Sequence, residues 1–468
     1  MTRYHLRVLS CSPRSMLFNS FDFAVFFPIV TLLYFVLRGM PRIYWLLAAS
    51  FAFYAAFIPF YTLILIVVIL IDYASGLLMA ATENPRLRPV YLALSLIANL
   101  GILCSFKYFN FITSNLAAVL HWTPWMLTWA LPLGLSFHTF QSMAYTIEVY
   151  KGHYVAERSL PHLALYIMFY PQLVAGPIER PSNLLRQLHI EHRFSYDDFR
   201  SGMQLMFWGL FKKAAIADRL SFLSDSIFST SAALSGPLVT IGALAFSFQI
   251  YCDFSGYSDM AIGAARVMGF QLTANFRRPY FATSFQDFWR RWHISLSNWF
   301  RDYVYLPLGR GPTALIAVFL LSGLWHGANW TFLIWGAVHA VFRLAEWKFP
   351  RVQGRLPVFA LVTFAWIFFR ASSLAHAWNM TTALPYGWLS LTHPLAIMQG
   401  FGGPWNYLYS VLGVLIVLAV DWGLEQGWLR RNFEARPAWL RAVAYNAAVL
   451  SLYALWARDD QKFIYFQF

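Results

Sequence analysis

The sequence predicts an all-α polytopic membrane protein, and three observations carry that prediction. Hydrophobic residues make up 59% of the 468 and charged residues only 12%, with mean hydropathy +0.51, whereas soluble domains carry about 25% charged residues. Apolar runs recur along the whole chain, near 23–37, 43–57, 60–81, 90–106, 127–147, 160–176, 203–217, 236–252, 314–341, 356–369, 405–422 and 438–456. A helix needs about 20 apolar residues to cross a bilayer core. Short basic clusters separate the runs, as in loops retained on the cytoplasmic side. Counted by length, the runs predict about ten to twelve crossings, the shorter ones paired, tilted or re-entrant. No long polar stretch could hold a second fold, so residues 16–468 are expected to form one membrane domain.

Composition also excludes several classes. The formal net charge is +14, but the basic residues lie in short clusters between apolar spans, so no nucleic-acid partner is expected; the partner is the bilayer. Cys11, Cys104 and Cys252 are all the cysteines. They form neither a disulfide framework nor a CxxC pair, and no metal is expected. Residues 1–15 are polar and basic, and the apolar segment at 21–37 is too long for a signal-peptide core and lacks a following small-residue cleavage site. Met16 therefore reads as the natural start, and 1–15 as an upstream extension.

In chain order, Pro41, Asn84-Pro85 and Pro89 end or open helices. Residues 178–201 form a polar loop with Arg180, Arg186, Arg193 and Arg200, expected to be cytoplasmic. Within it, His189-Ile190-Glu191-His192 lacks the HExxH spacing of a metal pair and reads as a solvated face. Asp253 and Asp259 stand in an apolar setting, where Ser255-Gly256 permits a broken helix that they would cap or brace. Between 277 and 310, Phe285, Trp289, Trp292, Leu296, Trp299 and Tyr303 are spaced as one helical face. Gln286, Arg290, His293, Ser297 and Arg301 share the nearly opposite face, so this helix either lies at the interface or lines a hydrated cavity.

The run 314–341 contains no Lys, Arg, Asp or Glu, yet it holds Trp325-His326-Gly327. Ionisable groups at membrane depth are functional candidates by default. A neutral histidine suits the role of general base, with an unperturbed pKa of about 6.5. Asn329, three residues on, could orient the ring or bind a developing oxyanion if the helix continues. His339 lies thirteen residues from His326, nearly opposite on a straight helix, and reads as packing.

The blocks at 253–263, Phe288-Trp289-Arg290-Arg291-Trp292-His293-Ile294-Ser295, Asn298-Trp299-Phe300-Arg301-Asp302-Tyr303 and Ser322-Gly323-Leu324-Trp325-His326-Gly327-Ala328-Asn329 are long and specific. With them the chain resembles the membrane-bound O-acyltransferase (MBOAT) family over nearly its whole length, above all its AlgI-like branch, the alginate O-acetylation membrane proteins. The resemblance implies a ring of tilted helices around a thin centre with a tunnel between the two membrane faces. It maps the family's catalytic histidine onto His326 and a second functional histidine onto His293. Arg290, Asn298, Arg301 and Asn329 are the expected substrate-binding or supporting positions. Close relatives often carry Arg where this chain has Lys151, which keeps the charge but loses the bidentate fork.

The resemblance further implies acyl transfer, expected to be acetyl, from a cytoplasmic donor to an exported cell-envelope polysaccharide such as alginate. No cofactor is expected to be bound. Acetyl-CoA or another acyl thioester is the expected donor, and a periplasmic acetyltransferase the expected partner protein. The expected location is the bacterial inner membrane. The tail Phe463-Ile464-Tyr465-Phe466-Gln467-Phe468 resembles the end of a short membrane peptide that partners D-alanyl transfer, which makes Tyr465 a candidate acyl carrier; composition alone favours an interfacial aromatic anchor. D-alanyl transfer to teichoic acid, a proton-coupled transporter and an export-complex scaffold are the competing readings.

Overall fold

The computed structural model describes residues 16–57, 59–229, 235–349, 353–388, 403–433 and 435–456. The expected upstream extension at 1–15 and the tail at 463–468 with Tyr465 lie outside the described residues. Among the described residues every regular element is a helix. That is the expected answer for an apolar chain in lipid, where a helix satisfies its backbone polar groups within one segment. Among the described residues, five helices are long and apolar enough to cross a membrane: Tyr61–Ala81, Leu87–Leu120, Gly236–Val267, Trp405–Glu425 and Ala438–Leu455. Two apolar helices are shorter, Phe21–Val36 and Pro312–His326. At 1.5 Å per residue the second of these reaches only about 22 Å, short of the roughly 30 Å hydrocarbon core.

The chain divides into two compact units. The first holds residues 1–206 and 258–274. It includes Phe21–Val36, Met40–Ala55, Tyr61–Ala81, Leu87–Leu103, Leu135–Tyr150 and Leu160–Met168. The apolar run at 127–147 starts its helix only at Leu135, after an irregular stretch, and the run at 160–176 breaks at Phe169. A polar knot joins three helices. Asp72 accepts from Ser95 Oγ at 2.6 Å, from Asn99 Nδ2 at 3.0 Å and from Ser142 Oγ, and all four side chains are buried. Gly76 lets the Tyr145 ring lie against the helix backbone, and the Tyr145 hydroxyl accepts from Glu157 N at 3.0 Å. The polar loop after residue 178 is anchored by Glu179, fully buried, which accepts from Asn183 Nδ2 at 2.6 Å and Thr273 Oγ1 at 3.2 Å. His189 is exposed, stacks on His162 with ring centroids 4.1 Å apart, and has Nε2 2.6 Å from Glu157 Oε2.

The second unit holds residues 207–257 and 275–468 and has a contiguous aromatic core that includes Phe246, Phe285, Phe288, Trp292, Trp335, Trp366 and Phe369. Ser255-Gly256 does not break the helix they were expected to break: Gly236–Val267 is continuous over 32 residues. The glycine instead permits close packing, since a Cβ there would stand 2.7 Å from Gly209 O and 3.2 Å from Lys213 N. Small residues serve membrane helices this way because backbones can then approach closely. Asp253 does brace this packing. Lys213, on the π-helical turn Phe211–Ala217, places Nζ 2.7 Å from both Asp253 Oδ1 and Asp218 Oδ1, with all three side chains buried. Next to it Lys212 Nζ donates to Ser255 Oγ at 2.8 Å.

The run 314–341, expected as one span, is a helical hairpin. Pro312–His326 ends at Gly327, and Trp330–Lys348 begins after Asn329. Gly323, Gly327 and Gly336 line the contact: a Cβ on any of them would collide with Phe332 or Phe319. The apolar run hid the turn because every residue in it is uncharged, and the break depends on where glycines let two helices touch.

Candidate active site

His326 is the last residue of Pro312–His326 and is 4% exposed. Its ring is enclosed by Trp325, Trp335 and Phe369, with centroids 5.0, 5.2 and 5.2 Å away, all near perpendicular. Trp335 comes from the return helix Trp330–Lys348 and Phe369 from Arg355–Arg370. The hairpin therefore holds the histidine at a helix end, against an aromatic wall from two neighbours.

His293 faces it, with ring centroids 6.4 Å apart. The expected continuous amphipathic helix is instead two short helices, Phe285–Arg291 and Ile294–Phe300, followed by a π-helical turn Arg301–Tyr305. His293 sits at the break with φ 42 and ψ 54, the left-handed region that side chains rarely adopt. The break separates it from the face it was expected to share. His293 is fully buried, whereas Arg290 is exposed and Arg301 pairs with its neighbour Asp302 at 2.7 Å near solvent. Its ring packs edge-on against Phe254 at 4.7 Å and lies 5.8 Å from Trp325.

The turn is tied down from three sides. Ser284 Oγ caps the first short helix by accepting from Asp287 N at 2.9 Å, and Glu346 accepts from Phe285 N at 2.8 Å. A carboxylate at a helix N-terminus is favoured by the unpaired N–H groups there. At the other end Arg291 donates to Asp287 at 2.8 Å and to Glu425 at 3.0 Å, and Glu425 also accepts from Arg278 at 2.6 Å. The third tie is Asn275. Its carbonyl accepts from Ile294 N at 2.9 Å, and its Oδ1 accepts from Ser295 Oγ at 2.9 Å and lies 3.2 Å from His293 Nδ1.

Of the expected supporting residues, Asn329 does not share a helix with His326. It is the N-cap of Trp330–Lys348, and its side chain accepts from Thr331 N at 3.1 Å. The hairpin turn falls between the two residues, so the three-residue spacing does not stack them. Asn298 is half-buried on Ile294–Phe300. His339 is fully buried among aromatic rings, with Trp335 at 4.8 Å and Trp289 at 5.1 Å, in keeping with packing. Among the described residues no group of three or more His, Cys, Asp or Glu could hold a metal. Sequence reasoning missed Asn275, Glu346 and Glu425. None carries a local periodic signal; the partners that tie the turn lie 18 to 147 residues away, and only Asn275's place just before the Arg277-Arg278 pair marked it as a polar residue near the block.

A buried histidine pair at a helix break, in a membrane protein whose described elements are all helical, is a candidate site for proton-transfer chemistry. The chain belongs to the membrane-bound O-acyltransferase family, MBOAT, whose model matches residues 153–352, and it is an acyltransferase. Both histidines fall inside that match. The chain is 40% identical over 391 residues to the probable alginate O-acetylase AlgI of Pseudomonas aeruginosa, covering 79% of this chain and 75% of that protein. It is 36% identical over 414 residues to the peptidoglycan O-acetyltransferase of Helicobacter pylori, covering 77% and 78%. It is 29% identical over 227 residues to the teichoic acid D-alanyltransferase of Bacillus subtilis, covering 45% and 57%.

Proposed function

We propose that this protein transfers an acetyl group from a cytoplasmic thioester, acetyl-CoA or a similar donor, toward hydroxyls of an exported cell-envelope polysaccharide such as alginate. The observation that carries the mechanism is the buried His326–His293 pair, with ring centroids 6.4 Å apart at the end of the helical hairpin. His326 is the general base. It takes the proton of the acceptor hydroxyl as the oxygen attacks the thioester carbonyl; the C–S bond then breaks and the leaving thiolate recovers the proton, giving ester and thiol. His293 holds the acceptor in line through a hydroxyl neighbouring the one that reacts. The aromatic enclosure excludes water, which would otherwise hydrolyse the thioester.

The acetyl assignment is supported by relatives named as O-acetylases or O-acetyltransferases over three quarters of their length. D-alanyl transfer is the second reading, favoured by shorter and weaker matches and by the resemblance of the tail at 463–468. We place the protein in the bacterial inner membrane with the basic loop at 178–201 cytoplasmic, on its Arg content. A Cys at exposed Ser182 should then resist an impermeant thiol reagent in intact cells. Delivery to the polymer needs a periplasmic acetyltransferase partner, and Tyr465 is the candidate residue for carrying acetyl to it.

The test is transfer of labelled acetyl from acetyl-CoA into polymer ester. His326→Ala should lower it by about 10²–10⁴-fold, the usual cost of losing a general base, with normal membrane insertion. Activity within about threefold of wild type, well below that range, rejects the base. Full acetylation in the variant would instead favour the scaffold reading.

A further inference from the structure

We infer that Asn275 is a positioning residue that fixes His293 as the Nδ1–H tautomer and so presents Nε2 as a hydrogen-bond acceptor to a hydroxyl of the acceptor next to the one whose proton His326 takes. The inference rests on the role given above to His293 and deepens it. One hydrogen-bond donor at this site has a certain identity. Ser295 N lies 3.3 Å from Asn275 Oδ1. A backbone N–H can only donate, so the amide atom it meets must be the oxygen and not the nitrogen, which removes the usual ambiguity of an amide side chain. The same oxygen lies 3.2 Å from His293 Nδ1 and 2.9 Å from Ser295 Oγ. An acceptor at that position requires Nδ1 to carry the proton. In a neutral imidazole the other nitrogen then keeps its lone pair.

The backbone supports the same assignment. Asn275 is 1% exposed, and its carbonyl also accepts from Ile294 N, at 2.9 Å. One residue thus holds the backbone on the C-terminal side of His293 through its main chain and the imidazole through its side chain. Left-handed backbone at a non-glycine residue costs about 1–3 kcal/mol and persists only where the surroundings over-determine it. The Asn275 contacts supply that determination. Phe254 and Phe276 close on the ring from other sides, at 4.7 and 6.4 Å, and offer no competing hydrogen bond. Metal-binding histidines are oriented through their second nitrogen in the same way, and there loss of the orienting group typically costs about 10–100-fold.

Three variants and one spectrum test this in the full-length protein in detergent or membranes. Asn275→Ala should lower acetyl transfer by about 10–100-fold. Asn275→Asp, which accepts from the same three donors, should recover most of that loss. Nitrogen-15 NMR of histidine-labelled wild type, with the His293 signals identified by their absence in His293→Gln, should show a protonated Nδ1 and a bare Nε2. Asn275→Ala should mix the two tautomers, which a merely structural role would not do. A wild-type His293 protonated on Nε2 overturns the inference, and this measurement stands even where Asn275→Ala fails to fold. So does near-normal transfer by Asn275→Ala while His293→Gln is inactive. If His293→Gln itself transfers normally, the assigned role of His293 is what fails, and the positioning role falls with it.

Discussion

Gly336→Ala tests whether the glycine contact of the helical hairpin sets the site. A Cβ at 336 would collide first with the Phe319 carbonyl oxygen, then stand 2.9 Å from the Phe319 carbonyl carbon and 3.4 Å from Leu320 Cα. Ordinary contact begins at 3.4 Å, so the carbon alone demands 3.4 − 2.9 = 0.5 Å of separation, and the oxygen demands more. Backbone cannot rotate aside as a side chain can, so the two helices must move apart. Trp335, the preceding residue, carries the ring 5.2 Å from His326 and moves with them. A misplacement of about 1 Å can cost about 10²-fold in rate, so a displacement of more than about half of that predicts a loss of at least about tenfold. Overpacking costs about 1–3 kcal/mol, partly offset by the gain of about 1 kcal/mol when Ala replaces a helical Gly. Gly101→Ala is the control: nothing lies within 4 Å of its Cβ, so it should keep wild-type activity and unfold no earlier. Acetyl transfer in membranes and thermal unfolding in detergent read both effects. A Gly336→Ala protein with the wild-type rate and the stability gain of the control would refute the reasoning.

Two further outcomes follow from the geometry and one from the sequence of the tail. Lys213→Met leaves Asp218 and Asp253 buried without their shared cation and should destabilise by about 3–5 kcal/mol, read as loss of folded protein on extraction; normal yield and unfolding would show the triad to be dispensable. Asn329→Ala should lose about 0.5–2 kcal/mol of helix capping while Asn329→Asp keeps both stability and activity; a 10²-fold rate loss at unchanged stability would restore its expected catalytic role instead. Tyr465→Phe keeps the aromatic ring but removes the hydroxyl that could carry acetyl, so polymer acetylation should stop; transfer at the wild-type rate leaves the tail as an interfacial anchor.

By itself the sequence determined the membrane class, the helical content and the two histidines worth watching. Those properties are local: scarcity of charge selects the bilayer, the bilayer selects helices, and His326 is conspicuous because nothing ionisable surrounds it in the chain. The resemblance carried by the blocks at 288–303 and 322–329 pointed to His293 as well. The same local logic extended helices too far. It read 314–341 as one span, 285–303 as one helix and Ser255-Gly256 as a break, because apolar periodicity is blind to where a neighbour interrupts or supports a helix. Tertiary structure decided those points. Gly323, Gly327 and Gly336 fold the span back on itself, and packing against Gly209 O turns Gly256 from a breaker into a contact. Asn275, Glu346 and Glu425 likewise acquire their roles only when distant segments meet. Hydrogen bonds and ion pairs of this kind depend on distances of about 3 Å between residues far apart in the chain, and no spacing along one segment encodes them.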